Sequence, residues 1–247
     1  MRKPLYFLLG ILTLFLLSSG SPAGDPVKKR VKYPYLLYIP QTYETDSAAY
    51  PVLIYLHGHS ARGSDLNRVK RYGPPFYVER GRHFPFFIAS PQCPSNRNWT
   101  SENWLDPLLE ELMEKYRIDT NRIYLTGMSL GAFGAWQLGI ERPHLFAAIA
   151  PLCGGTVSSQ VCNMKDIPIW AFHGSADRVV PVHRTESIVK QLEACEGNIK
   201  YSRLNGQGHN IHRVYADSSL YNWFMQQNRL NRAPDQDSTT NVSPENQ

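Results

Sequence analysis

The chain has 247 residues and carries 26 Lys and Arg against 21 Asp and Glu, a net charge of +5. So mild an excess, with no nucleic-acid motif beside it, does not mark a nucleic-acid binder, and the length suits one domain with a sizeable core. Four cysteines lack metal-ligand spacing and permit two disulfides in an oxidising compartment.

Arg2 and Lys3 precede an apolar stretch from Leu5 to Leu17 and the small-residue run Ser18-Ser-Gly-Ser-Pro-Ala-Gly24. That order is the order of a secretory signal peptide, and the apolar run falls short of the roughly 20 residues that a membrane-spanning helix needs. Residues 1–24 are therefore expected to be a cleaved leader, 25–230 a catalytic domain and 231–247 a disordered polar tail, since Ala233 to Gln247 holds almost nothing apolar. Export to the periplasm or the medium follows from the leader, with no stable membrane anchor after cleavage. Lys28, Lys29, Arg30 and Lys32 are expected to form a solvated basic edge.

Strand and helix signals then alternate. Strands are expected at Tyr35–Ile39, Val52–Leu56, Phe86–Ser90, Arg122–Thr126, Phe146–Pro151, Ile167–Phe172 and Lys200–Leu204, several of them unbroken apolar runs of the kind found in strands covered on both faces. Helices are expected at Trp104–Tyr116, where Ser101 is a candidate N-cap, and at Ser129–Arg142, Arg184–Cys195 and Val214–Asn228. The alternation specifies a mostly parallel sheet with helices on both faces and a site beyond the carboxyl ends of the strands. The segment from Cys153 to Asp166 is too short for a helical lid, so the site should be open unless Ser60–Gly81 folds over it. If one disulfide forms it should join Cys162 to Cys195, both at the edge away from the site; Cys93 and Cys153 follow strands on either side of the Arg122 strand.

Four strand ends carry the chemistry. Val52–Leu56 runs into His57-Gly58-His59, where two histidines without a third ligand make a poor metal site, but Gly58 lets the chain turn and the His59 N–H can face an oxyanion. Arg122–Thr126 runs into Gly127-Met-Ser129-Leu-Gly131, a Gly-x-Ser-x-Gly pentapeptide at a strand-to-helix junction, which presents the Ser129 hydroxyl at a helix N-terminus with the Leu130 N–H beside it. Serine needs a base and the base an orienting acid. Asp177 follows the Ile167 strand and His209, flanked by Gly206 and Gly208, follows the Lys200 strand, with His212 as its rival. Asp166 and Glu186 compete with Asp177, but Asp166 precedes its strand. Tyr72, Phe76, Tyr77, Trp99, Trp104, Phe133 and His212 are candidates for a pocket wall, and Arg62 and Arg97 for pairing a substrate carboxylate.

These motifs carry a family resemblance over about Tyr35 to Arg229: Leu-His-Gly at 56–58, Ser-Pro-Gln-Cys-Pro at 90–94, Tyr-Leu-Thr-Gly-Met-Ser-Leu-Gly at 124–131, Ala-Pro-Leu-Cys-Gly-Gly at 150–155, Ala-Phe-His-Gly-Ser-Ala-Asp at 171–177 and Gly-His at 208–209. The chain resembles exported α/β-hydrolase esterases of the feruloyl-esterase and polyhydroxyalkanoate-depolymerase type, proteins also called predicted peptidases or phospholipase/carboxylesterase-like. The resemblance implies an α/β-hydrolase fold without a large lid, a Ser129–Asp177–His209 triad, an acyl-enzyme intermediate, no cofactor and no metal. It implies a small-molecule or polymeric ester as substrate and no nucleic-acid partner. Two departures stand out: relatives often carry Gly or Met at the positions of Leu130 and Ala132, and an aromatic at that of His212. A serine peptidase and a non-catalytic ligand-binding homologue are the alternatives.

Overall fold

A computed structural model describes residues 31–232 together with Phe7 and Leu8. The rest of the expected leader, the basic residues Lys28, Lys29 and Arg30, and the chain beyond Arg232 lie outside the described residues.

The strands are β1 (Phe7–Leu8), β2 (Tyr35–Tyr38), β3 (Tyr50–Leu56), β4 (Phe87–Pro91), β5 (Ile118–Met128), β6 (Ala148–Leu152), β7 (Ile169–Gly174) and β8 (Ile199–Leu204). They form one sheet in the order β1-β2-β4-β3-β5-β6-β7-β8. From β4 to β8 every neighbouring pair is parallel. Among the described strands β2 pairs antiparallel with both of its neighbours, β1 and β4. The unbroken apolar runs make sense in this setting, because β3, β4, β6 and β7 are buried at every residue and a strand covered on both faces has no water-facing side to pattern.

Alternate strand residues feed two cores. Val52, Ile54, Leu125, Ile149 and Ile169 meet apolar residues of α2 (Leu105–Lys115), α3 (Leu130–Glu141) and α4 (His183–Ala194) on one face. Leu53, Tyr55, Tyr124, Ala148 and Trp170 meet α1 (Gly73–Val78) and α5 (Ser218–Met225) on the other. α2 shows why: Leu105, Leu108, Leu109 and Leu112 fall three and four residues apart and are all buried.

The structure corrects several expectations. Ser101 does not cap α2; its Oγ accepts from the Asn98 N–H, and Asn103 Oδ1 takes the Asp106 N–H instead. The single helix expected at Val214–Asn228 is a 3-10 turn, His212–Ala216, followed by α5, because the Asp217 carboxylate accepts from the Ser219 N–H and starts a new helix there. The Ser60–Gly81 segment folds into 3-10 turns at His59–Ala61 and Leu66–Arg71 and then α1. That helix packs on β2, β4 and the His212 turn, and in the Cys153–Asp166 segment only the 3-10 turn Val161–Met164 forms. Composition starts the polar tail at 231, yet Arg232 donates to the Pro143 and Phe146 carbonyls, so the packed chain runs through it.

The disulfide is Cys162–Cys195, with 6.1 Å between the Cα atoms, while Cys93 and Cys153 are buried free thiols. They follow β4 and β6, and β3 and β5 lie between those strands, so no disulfide can span them.

Candidate active site

The carboxyl ends of β3, β5, β6, β7 and β8 supply the site. After β5 the chain turns sharply into α3 at Ser129, whose φ of 57° and ψ of −120° lie in a region that L residues rarely adopt. The turn is held open for no other side chain. A Cβ on Gly127 would strike the Gly131 backbone, and a Cβ on Gly131 would strike the Leu56 carbonyl. The Ser129 N–H donates to the Leu152 carbonyl at 2.9 Å, which ties the strained residue to the end of β6.

His209 arrives from the loop after β8. That loop is laced to the loop after β7: the Gly206 N–H donates to Ser175 Oγ at 2.8 Å and the Ala176 N–H to the Gln207 carbonyl at 2.9 Å. Gly206 takes a φ of 71°, a left-handed turn that suits glycine. A Cβ on Gly174 would overlap the Gln207 and Gly208 carbonyls, so the approach of the two loops depends on that glycine as well.

The geometry of the three side chains fixes their protons. His209 Nδ1 lies 2.7 Å from Asp177 Oδ2 and Nε2 lies 2.9 Å from Ser129 Oγ. A carboxylate only accepts, so Nδ1 carries the hydrogen and Nε2 is left with its lone pair toward the Ser129 hydroxyl. Asp177 Oδ1 accepts the Val179 and Val180 N–H groups at 2.8 and 2.9 Å. Burial by itself raises the carboxyl pKa, but the hydrogen bond from His209 and those from Val180 and Val179 hold it below the usual carboxylate value. The Asp177 side chain is fully buried, whereas that of His209 is 22% exposed.

Gly58 sits against this turn, a Cβ built on it lying 3.6 Å from that of Ser129. The N–H groups of His59 and Leu130 donate to no other described residue. His59 follows Gly58 and Leu130 follows Ser129 in the chain, so the two donors flank this turn in sequence. Beside Leu130 opens a cleft of about 500 Å³, lined by Phe133, Gln137, Trp99, Thr156 and Val157 among others.

Of the candidate wall residues, Phe133 and Trp99 line that cleft and Trp104 does not. Trp104 is buried in the core, its ring stacked on Tyr33 and its N–H on the Trp99 carbonyl. His212 packs among the rings of Tyr72, Phe76 and Tyr77 and is absent from the cleft lining. Arg62 is committed to the Arg97 carbonyl and the His59 ring.

Two histidines without an assigned role shape the site. His57 accepts the Cys93 N–H at Nε2 and so donates from Nδ1 to the Gly58 carbonyl, joining the ends of β4 and β3. Burial lowers its pKa from 6.5 to about 4. His173, at the end of β7, touches Asp177. Donor atoms of Cys153, Asp177 and His209 lie within 4.8 Å of one another, close enough for a metal. Hydrogen bonding already accounts for that closeness, because the Cys153 thiol donates to the His209 carbonyl at 3.1 Å and the other two bond each other.

A profile of the phospholipase/carboxylesterase family matches residues 88–218. A bifunctional acetylxylan esterase/xylanase from Neocallimastix patriciarum is 29% identical over 87 residues, which are 35% of this chain and 13% of that protein. A probable feruloyl esterase C from Aspergillus flavus is 23% identical over 171 residues, covering 66% of this chain and 62% of the other. Among solved structures, a thermostable esterase superposes with a TM-score of 0.68 at 32% identity, over 79% of this chain and 59% of its own. The chain therefore spans less than two thirds of each of these three proteins.

Proposed function

The chain belongs to the phospholipase/carboxylesterase family of α/β-hydrolases, and from that premise we propose that it is a serine esterase working through an acyl-enzyme intermediate on Ser129. One observation carries the reading: a single imidazole stands between a buried carboxylate at 2.7 Å and a strained serine hydroxyl at 2.9 Å. In the first half-reaction Ser129 Oγ attacks the ester carbonyl as its proton passes to His209 Nε2. The tetrahedral oxyanion takes the N–H groups of His59 and Leu130, and the Asp177 carboxylate steadies the imidazolium. Collapse expels the alcohol, protonated by His209, and leaves the acyl group on Ser129. Water, deprotonated by His209, then attacks the acyl carbon, and the acid leaves as Ser129 regains its proton. Every step uses side chains and N–H groups named above.

The open cleft beside Leu130 suits a small-molecule or polymeric ester. The leader-like start of the chain and the Cys162–Cys195 disulfide together support export to an oxidising compartment. Among the described residues no helix is long and apolar enough to cross a membrane. The test is labelling of folded protein by a fluorophosphonate, with p-nitrophenyl, feruloyl and peptide substrates ranked by kcat/KM. Labelling of the native chain but not of Ser129→Ala, with esters ahead of peptides, is the expected result. No labelling would favour a binding protein, and peptides ahead of esters a peptidase.

A further inference from the structure

His173 is buried without any solvent exposure, yet every atom that its ring nitrogens meet belongs to the acid loop or to what braces it. Nε2 lies 2.9 Å from the Val180 carbonyl and 3.2 Å from Asp177 Oδ2. Both neighbours only accept, so Nε2 carries a hydrogen and shares it between them. Nδ1 lies 2.7 Å from Thr185 Oγ1 at the start of α4, and that hydroxyl is in turn 2.7 Å from the Gly154 carbonyl after β6. The ring thus joins four pieces of chain: the end of β7, the 177–180 loop, α4 and the loop after β6.

Asp177 Oδ2 is the same oxygen that accepts the His209 Nδ1–H, so the acid has four donors in all, Val179 and Val180 on one oxygen and two imidazoles on the other. We propose that His173 is a positioning residue for the reaction, a second buried imidazole that aims the Asp177 carboxylate and draws off part of the negative charge that would otherwise fall on His209. A histidine present only to fill the core would need no donor on that oxygen. The proposal rests on the esterase reading for its kinetic arm but not for its spectroscopic one.

The sign of the kinetic effect follows from where the charge goes. Without the His173 donor, Oδ2 offers its full charge to the His209 N–H, the imidazolium is favoured, and His209 holds its proton to higher pH. Because the base must be neutral to act, the acid limb of kcat/KM moves up. His173→Leu removes both ring nitrogens and should move that limb by about one pH unit, the scale of a hydrogen bond to a charged group. His173→Gln keeps a donor near the Nε2 position and should hold the limb in place. A lowered kcat with an unmoved limb in folded His173→Leu, or the same shift in both variants, would overturn the proposal.

A second measurement stands without turnover. In the full chain labelled with ¹⁵N-histidine, the His173 ring, assigned through its loss in His173→Gln, should show a slowly exchanging proton on Nε2. That signal should shift in Asp177→Asn, where a neutral amide replaces the carboxylate. An unprotonated Nε2, or a signal indifferent to Asp177→Asn, would refute the contact whether or not Ser129 is the nucleophile. Failure of Ser129 to react with a fluorophosphonate, by contrast, would leave this ring measurement standing.

Discussion

Among the single side chains, the two histidines three residues apart separate most sharply. His209 reaches Ser129 and His212 is wedged among Tyr72, Phe76 and Tyr77. His209→Ala should lower kcat by about 10⁴-fold or more with the fold intact, the loss expected when a triad base is removed. His212→Ala should leave kcat near wild type and lower the melting temperature, because it withdraws a ring from an aromatic cluster; comparable kcat losses in two folded variants would reassign the base. His57 gives a pH prediction. It is neutral in the fold, with a pKa of about 4 against 6.5 when unfolded, so the unfolded chain gains a proton first as pH falls. Its stabilisation is complete above 6.5 and is lost toward pH 4, about 3 kcal/mol in all. Thermal unfolding across that range should show the fall in the native chain and a flatter profile in His57→Gln. The meeting of Ser129, Asp177 and His209 was legible because each of them follows a strand and two of them are flanked by glycine. Trp104 lies in the core and His212 in an aromatic cluster, and an aromatic near a strand end has the same local sequence whether it faces a cleft or the core.

Elements carry a different set of expectations. The contact of α3 with β3 depends on Gly131, where any side chain meets the Leu56 carbonyl. Gly131→Ala should therefore abolish soluble expression or cost several kcal/mol, since backbone cannot yield as a flexible side chain does; a folded protein with native melting would show that α3 can shift. The long helices and the inner strands were readable from periodicity because burial on one or both faces dictates it. α1 was not, since Gly73-Pro-Pro reads as a turn and its start requires a φ of 70° at Gly73, with the Tyr55 ring pressed against that residue. Helix α5 was merged with the turn before it because the Asp217-Ser-Ser start signal lay inside an apolar pattern that looked continuous. β5 begins earlier than its apolar run suggests, at Ile118, where Tyr50 supplies a pairing partner that no local sequence announces.

For the molecule as a whole, the sheet order and its single reversed inner strand were beyond the sequence, which announces strands but not their neighbours. The disulfide was within reach because its two cysteines flank elements at one edge. It closes a span of 33 residues, worth about 3–4 kcal/mol in chain entropy. Cys162→Ser with Cys195→Ser should lower the melting temperature by on the order of 10 °C while kcat/KM holds, because the bridge lies away from Ser129. An unchanged melting temperature would mean that the α4 edge is held by packing alone.

The buried thiol behind His209 turns into a clock. Burial pushes the Cys153 pKa up to about 12, and its sulfur is sealed under the loop that carries His209. A thiol reagent can reach it only during excursions in which that loop lifts, so the rate of modification counts those excursions, as amide hydrogen exchange does for a backbone site. Inactivation by such a reagent would then report the breathing of the loop and would not by itself mark Cys153 as a nucleophile.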